Sequence, residues 1–124
     1  MPSETRRHRD GRGWEKQAGY SRAVRRGNRI AVSGTTAADS SADTYGQARA
    51  ALEQALDAVV ALGGTKEHVL RTRIMLAPGA DWEAAARAHA LVLGEVAPAN
   101  TMLYVAGLIG DGYLVEVEVD AEAD

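Results

Sequence analysis

The segment Tyr113 to Asp120 reads Tyr-Leu-Val-Glu-Val-Glu-Val-Asp, a strict two-residue alternation. Only an extended strand sends successive side chains to opposite faces in this way. One face is Tyr113, Val115, Val117 and Val119; the other is Leu114, Glu116, Glu118 and Asp120. Three carboxylates in a row on one strand face either meet water or line a polar cavity. A carboxylate buried there becomes a general acid/base with a raised pKa.

The rest of the chain supplies both periods. Tyr20 to Val24 alternates, Gly27-Asn28 gives a two-residue hairpin signal, and Arg29 to Ser33 alternates again. Arg22, Arg25, Arg26 and Arg29 cluster here and read first as a solvated hairpin face that resists edge pairing, with a basic substrate funnel as the alternative. Asp43 is placed to cap a helix over Thr44 to Leu62. Ala48, Ala51, Leu52, Ala55, Leu56, Val59 and Leu62 form its 3.6-residue stripe, with Gln47, Glu53, Gln54 and Asp57 off it, and Gly63-Gly64 ends it. Val69 to Ala77 reads as a strand, with Val69, Arg71, Arg73 and Met75 opposed to Leu70, Thr72, Ile74 and Leu76. Asp81 caps a second helix from Trp82 to about Gly94, its apolar positions being Trp82, Ala85, Ala86, His89, Ala90 and Leu93. Met102 to Ile109 reads as an apolar strand before the alternating one. A further short strand is expected near Trp14. The order is β-β-α-β-α-β-β, an α+β domain with two helices on one face of a mixed sheet. The other face has no chain left to cover it, so association is expected.

Residues 1–13 are polar, charged and glycine-containing, and read as a mobile arm before a single domain over 14–124. Fourteen basic and seventeen acidic residues give −3, and residues beyond 12 alone give −5. An acidic body points away from a nucleic-acid partner. The chain has no cysteine, which excludes a disulfide framework and a thiolate nucleophile and suits a reducing cytoplasm. No apolar stretch is long enough to span a membrane, and no secretory signal opens the chain.

His8, His68 and His89 share no ligand spacing, so neither a metal nor another cofactor is expected. Gly11-Arg12-Gly13 and Gly110-Asp111-Gly112 read as turns, since neither has a phosphate-loop pattern. No nucleophile elbow is present. His89 reads as a core or interface histidine. The remaining candidate is a pocket around Pro98-Ala99-Asn100-Thr101 beside the strand of Glu116 and Glu118.

Several segments, taken in order, resemble the reactive intermediate deaminase (Rid, or YjgF) family. They are Gly19-Tyr20-Ser21, Gly27 to Gly34, Leu62-Gly63-Gly64, Val69 to Leu76, Pro98-Ala99 and Val115-Glu116-Val117-Glu118, spanning about Trp14 to Ala121. The resemblance implies a chorismate mutase-like fold, a homotrimer with a central barrel, and small-molecule clefts between subunits. It implies cofactor-free hydrolysis of enamines and imines such as 2-iminopropanoate. It maps the water-positioning glutamate to Glu118, and the substrate-binding set to Tyr20, Gly34, Thr35, Trp82, Thr101 and Met102. It also puts Asn100 where the family carries a carboxylate-gripping arginine. A neutral amide lacks the charged fork, and its loss weakens a carboxylate substrate by about tenfold to over a hundredfold.

The expectation is therefore a cofactor-independent enzyme acting on an enamine, imine or enol-type metabolite, with Glu118 and Asn100 as catalytic candidates. A non-catalytic small-molecule binding protein is the alternative. The RNA-cleaving label that the family carries fits poorly with the acidic body and the lack of a paired His/Lys set.

Overall fold

Two capping aspartates start the two long helices. The computed structural model describes residues 4–11 and 14–124. Asp43 accepts a hydrogen bond from the Gly46 amide at 2.8 Å and opens α2 (Thr44–Ala61). Asp81 accepts from the Glu83 and Ala84 amides at 3.1 and 3.2 Å and opens α3 (Trp82–Leu93). Each carboxylate satisfies amides that the first helical turn leaves without partners.

The strands are β1 (Thr5–His8), β2 (Ala23–Arg26), β3 (Arg29–Thr36), β4 (Val69–Leu76), β5 (Ala99–Tyr104) and β6 (Val115–Glu122), with a one-turn helix α1 (Glu15–Ala18) after β1. They form one six-stranded sheet in the order β1-β2-β3-β6-β4-β5. Only β4 and β5 run parallel, joined through α3 as such a pair requires. The fold is α+β with a mixed sheet, as expected.

β6 lies between β3 and β4, and its alternation sets the two faces. Val115, Val117, Val119 and Ala121 are buried in one core with α2 residues Ala48, Ala51, Leu52, Ala55 and Val59, and with Ala85, Ala88 and Leu93 of α3. Burying each Val or Leu stabilises the fold by about 1.5–3 kcal/mol. The alanines let the helices lie close to the sheet. On the opposite face Glu116, Glu118 and Asp120 stay partly exposed, and neither α2 nor α3 packs there.

Residues 1–13 do not form the expected free arm throughout. Thr5–His8 pairs antiparallel with Ala23–Arg26, and Arg6 and Arg25 both donate to the Leu62 carbonyl, at 3.2 and 2.9 Å. The negative end of α2 offers these arginines a partner that their sequence neighbourhood does not. Residues 1–3 and 12–13 of that arm lie outside the described residues. The short strand expected near Trp14 is the helix α1, closed by Gly19 at φ 74°.

Three other expectations are corrected. Leu70 is half exposed because the β4–β6 register shifts between Val69 and Arg71, which puts Val69 rather than Leu70 on the face with Thr72, Ile74 and Leu76. In α3 the buried residues are Ala84, Ala85, Ala88 and Leu93, while Trp82 is exposed. The fifth strand starts at Ala99 and ends at Tyr104, leaving Ile109 in a loop with 85 % of its surface exposed.

Gln47 is the largest departure, since it is fully buried. Its Nε2 donates to the carbonyls of Ser40, Ala42 and Gly112, at 3.2, 2.9 and 3.0 Å, and its Oε1 accepts from the Leu114 amide at 2.8 Å. One amide thus ties the loop before α2 to the loop before β6. Gly112 allows that approach, with φ 83° and room for no side chain beside the Ser40 carbonyl. Replacing Gln47 by Leu leaves buried backbone groups unpaired, and is expected to cost about 3 kcal/mol and about 10 °C in Tm. Thermal melts of Gln47→Leu check this.

Candidate functional site

β3 outruns its neighbour. The last β2–β3 pair is Ala23 with Val32, and β3 continues to Thr36 beyond the end of β2. The β3–β6 register also shifts between Val32 and Thr35, a bulge of the kind that redirects side chains beside sites. The N-terminal segment approaches this edge. Buried Glu15 holds it there, accepting from the Gly11 amide at 3.0 Å and the Arg22 amide at 2.9 Å. Ser33 reinforces the tie, with its hydroxyl donating to the Ser21 carbonyl at 2.6 Å and its amide to the Arg22 carbonyl at 2.9 Å.

A cleft of about 740 Å³ results, within the ~300–1,000 Å³ usual for small-molecule sites. Tyr20, Arg22, Gly34, Thr35 and Glu116 line it, together with His8, Asp10, Trp14, Ile109 and Tyr113. The absence of a side chain at Gly34 lets the Glu116 carboxyl lie directly against the strand: a Cβ there would overlap Oε2 and the carboxyl would have to swing away. Arg22 Nη2 donates to the Gly34 carbonyl at 2.7 Å, and its guanidinium sits 5.8 Å from the centroid of the Tyr20 ring. Its Nε is buried without a hydrogen-bond partner among the described residues, and an unsatisfied buried donor costs about 1–3 kcal/mol.

The last-strand carboxylates have different surroundings. Glu118 and Asp120 face Arg73 of β4, whose Nη1 lies 3.6 Å from Glu118 Oε1 and 3.3 Å from Asp120 Oδ2. Glu116 is paired across the sheet with Met75 on one side and Thr36 on the other. Burial raises its pKa above the usual glutamate range, the nearby Glu118 charge raises it further, and Arg22 partly offsets the rise. Glu116 therefore holds a proton more readily than an exposed glutamate does.

A family model described as Endoribonuclease L-PSP matches residues 14–123. The chain belongs to this family. A Streptomyces coelicolor protein, SCO2049, is 40 % identical over 127 residues, covering 98 % of this chain and 95 % of that protein. The crystal structure of Rv2704 from Mycobacterium tuberculosis, a member of the YjgF/YER057c/UK114 family, superposes with a TM-score of 0.91 at 36 % identity, covering 97 % of this chain and 100 % of that one. PA3499 from Pseudomonas aeruginosa superposes at 0.88 with 25 % identity, covering 98 % and 94 %.

Within this L-PSP domain, the structure brings Tyr20, Gly34 and Thr35 together in the cleft. The other residues singled out from the sequence stand elsewhere. Glu118 faces Arg73. Trp82 is exposed at the start of α3. Thr101 on β5 is level with Arg73, and Met102 packs against the core. Asn100 Nδ2 donates to Thr72 Oγ1 at 2.9 Å, and that oxygen lies 2.8 Å from His89 Nε2. Asn100 thus binds β5 to the helix-covered side of the sheet. Desolvation lowers the His89 pKa.

Sequence reading did not single out Arg22, because it set a solvated hairpin face above a substrate funnel for the whole arginine cluster. Arg22 stands apart from the others in lying before β2, which starts at Ala23. Among the described residues, no group of three or more His, Cys, Asp or Glu is placed to hold a metal ion. No helix among them is long and apolar enough to cross a membrane.

The raised Glu116 pKa has a sign. The folded state binds this proton more tightly than the unfolded state, so the group favours folding most below the ordinary value of 4.5. That advantage is lost as pH rises through the raised folded value. Glu116→Gln should therefore raise Tm relative to the parent at pH 8 and lose that advantage near pH 4. Paired melts across this range check the direction.

Proposed function

We propose that this cleft is the site of a cofactor-independent enzyme that hydrolyses an enamine or imine of a small metabolite in the cytoplasm. The observation that carries the reading is Glu116, the carboxyl group with a raised pKa, held over Gly34 beside Tyr20. A carboxyl that keeps its proton nearer neutrality can give it to the carbon of an enamine, forming an iminium. The carboxylate left behind takes a proton from water as the water oxygen bonds to the iminium carbon. Collapse of the carbinolamine breaks the C–N bond, releasing ammonia and a carbonyl product. Glu116 thus takes the role that the sequence comparison assigned to Glu118, whose carboxylate is engaged with Arg73.

Ammonia release from freshly generated 2-aminoacrylate and from enamines without a carboxylate tests the reading. Glu116→Gln is expected to lower kcat by about 10²–10⁴-fold, and Glu118→Gln by less than tenfold. Equal losses in the two variants would sink the assignment.

Asn100 favours a second reading, ligand binding without turnover. The position where the resemblance implies a charged arginine here carries a neutral amide engaged with Thr72. A metabolite that raises Tm, is recovered unchanged and is indifferent to Glu116→Gln would favour this reading.

The uncovered sheet face supports a homotrimer in which neighbouring subunits cover it and complete the cleft. Exposed Leu103 on β5 adds apolar surface to that face. Light scattering on the eluting peak should give three times the 13.1 kDa chain mass. A monomer at micromolar concentration would remove the trimer from the proposal.

A further inference from the structure

We propose that Arg22 is the anion-binding residue of this cleft, gripping the carboxylate of a small monoanionic ligand. The inference rests on the reading of the cleft as a small-molecule site and names the residue that selects what enters it.

Arg22 is the one Arg or Lys among the described residues that line the cleft. Its guanidinium is positioned before any ligand arrives, by the Gly34 carbonyl at 2.7 Å and by the face of Tyr20. Groups held in place in advance lose less freedom on binding. The Gly34 contact uses one of five N–H donors, and the buried Nε has no hydrogen-bond partner among the described residues. A planar guanidinium fork matches a carboxylate in shape and charge. The surrounding charges limit the ligand further. Asp57 also lines the cleft, so a dianion such as phosphate meets more repulsion there than a monoanion does. Within one chain Asn100 does not line the cleft, and its amide donates to Thr72. The cationic anchor comes from the segment before β2 of the same chain.

Calorimetric titration with pyruvate, with its neutral amide pyruvamide and with inorganic phosphate tests the proposal. The proteins are the parent, Arg22→Gln, Arg22→Lys and Glu118→Gln. The parent should prefer pyruvate to both other probes by at least about tenfold. Arg22→Gln should weaken pyruvate about tenfold to a hundredfold while leaving pyruvamide within about twofold. Arg22→Lys, which keeps the charge but not the fork, should fall between. Glu118→Gln should match the parent. A purely structural role would weaken pyruvate and pyruvamide together, and that result overturns the anchor. So does a preference for phosphate, or pyruvate binding indifferent to Arg22. A parent protein that binds neither pyruvate nor pyruvamide overturns both the anchor and the site. Arg22-dependent pyruvate binding with undiminished turnover in Glu116→Gln overturns the mechanism above and leaves the anchor standing.

Discussion

A central strand that is apolar on one side and acidic on the other constrains every other part of this molecule. β6 is hydrogen-bonded on both edges, so its register sets those of β3 and β4 together. A slip of one residue would carry Val115, Val117 and Val119 out from beneath the helices and bring carboxylates into the core. The penalty for burying unpaired carboxylates far exceeds any gain from an alternative pairing. The same alternation that fills the core therefore aligns Glu116, Glu118 and Asp120 on the face that the helices leave open.

Their neighbours then make these three carboxylates unequal. β4 offers Met75, Arg73 and Arg71 opposite Glu116, Glu118 and Asp120. One arginine lies within reach of two carboxylates, and the third faces a thioether. Where β3 runs past the end of β2, the chain opens at the same level as Glu116. The acid without a cross-strand cation is thus the one beside the cleft, a coincidence of register rather than of residue type.

Local features were legible in the sequence, while features that depend on a distant partner were not. Asp43 and Asp81 cap helices because each satisfies amides a few residues away. The Gly27-Asn28 hairpin was legible for the same reason, since a tight turn depends only on its own residues. Gln47 was not, because its partners include Gly112 and Leu114, more than sixty residues on. Thr5–His8 reads as a solvated tail until the carbonyl end of α2 is set beside Arg6. Leu70 obeys the alternation of its own strand, and only a register shift against β6 overrides it. Tyr20 and Gly34 were singled out by family resemblance, and both line the cleft. That Glu116 rather than Glu118 borders it follows from the cross-strand register, which neither strand reveals alone.

The link between Asn100, Thr72 and His89 joins two strands to a helix through one hydroxyl. Thr72 is fully buried. Its oxygen accepts from the Asn100 amide at 2.9 Å and lies 2.8 Å from His89 Nε2. A hydroxyl either accepts a second hydrogen bond or donates its one proton, so both tautomers of a neutral imidazole satisfy it. Burial favours that neutral form of His89. The parallel edge of the sheet is thereby fastened to α3 by a contact that survives a change of tautomer without breaking.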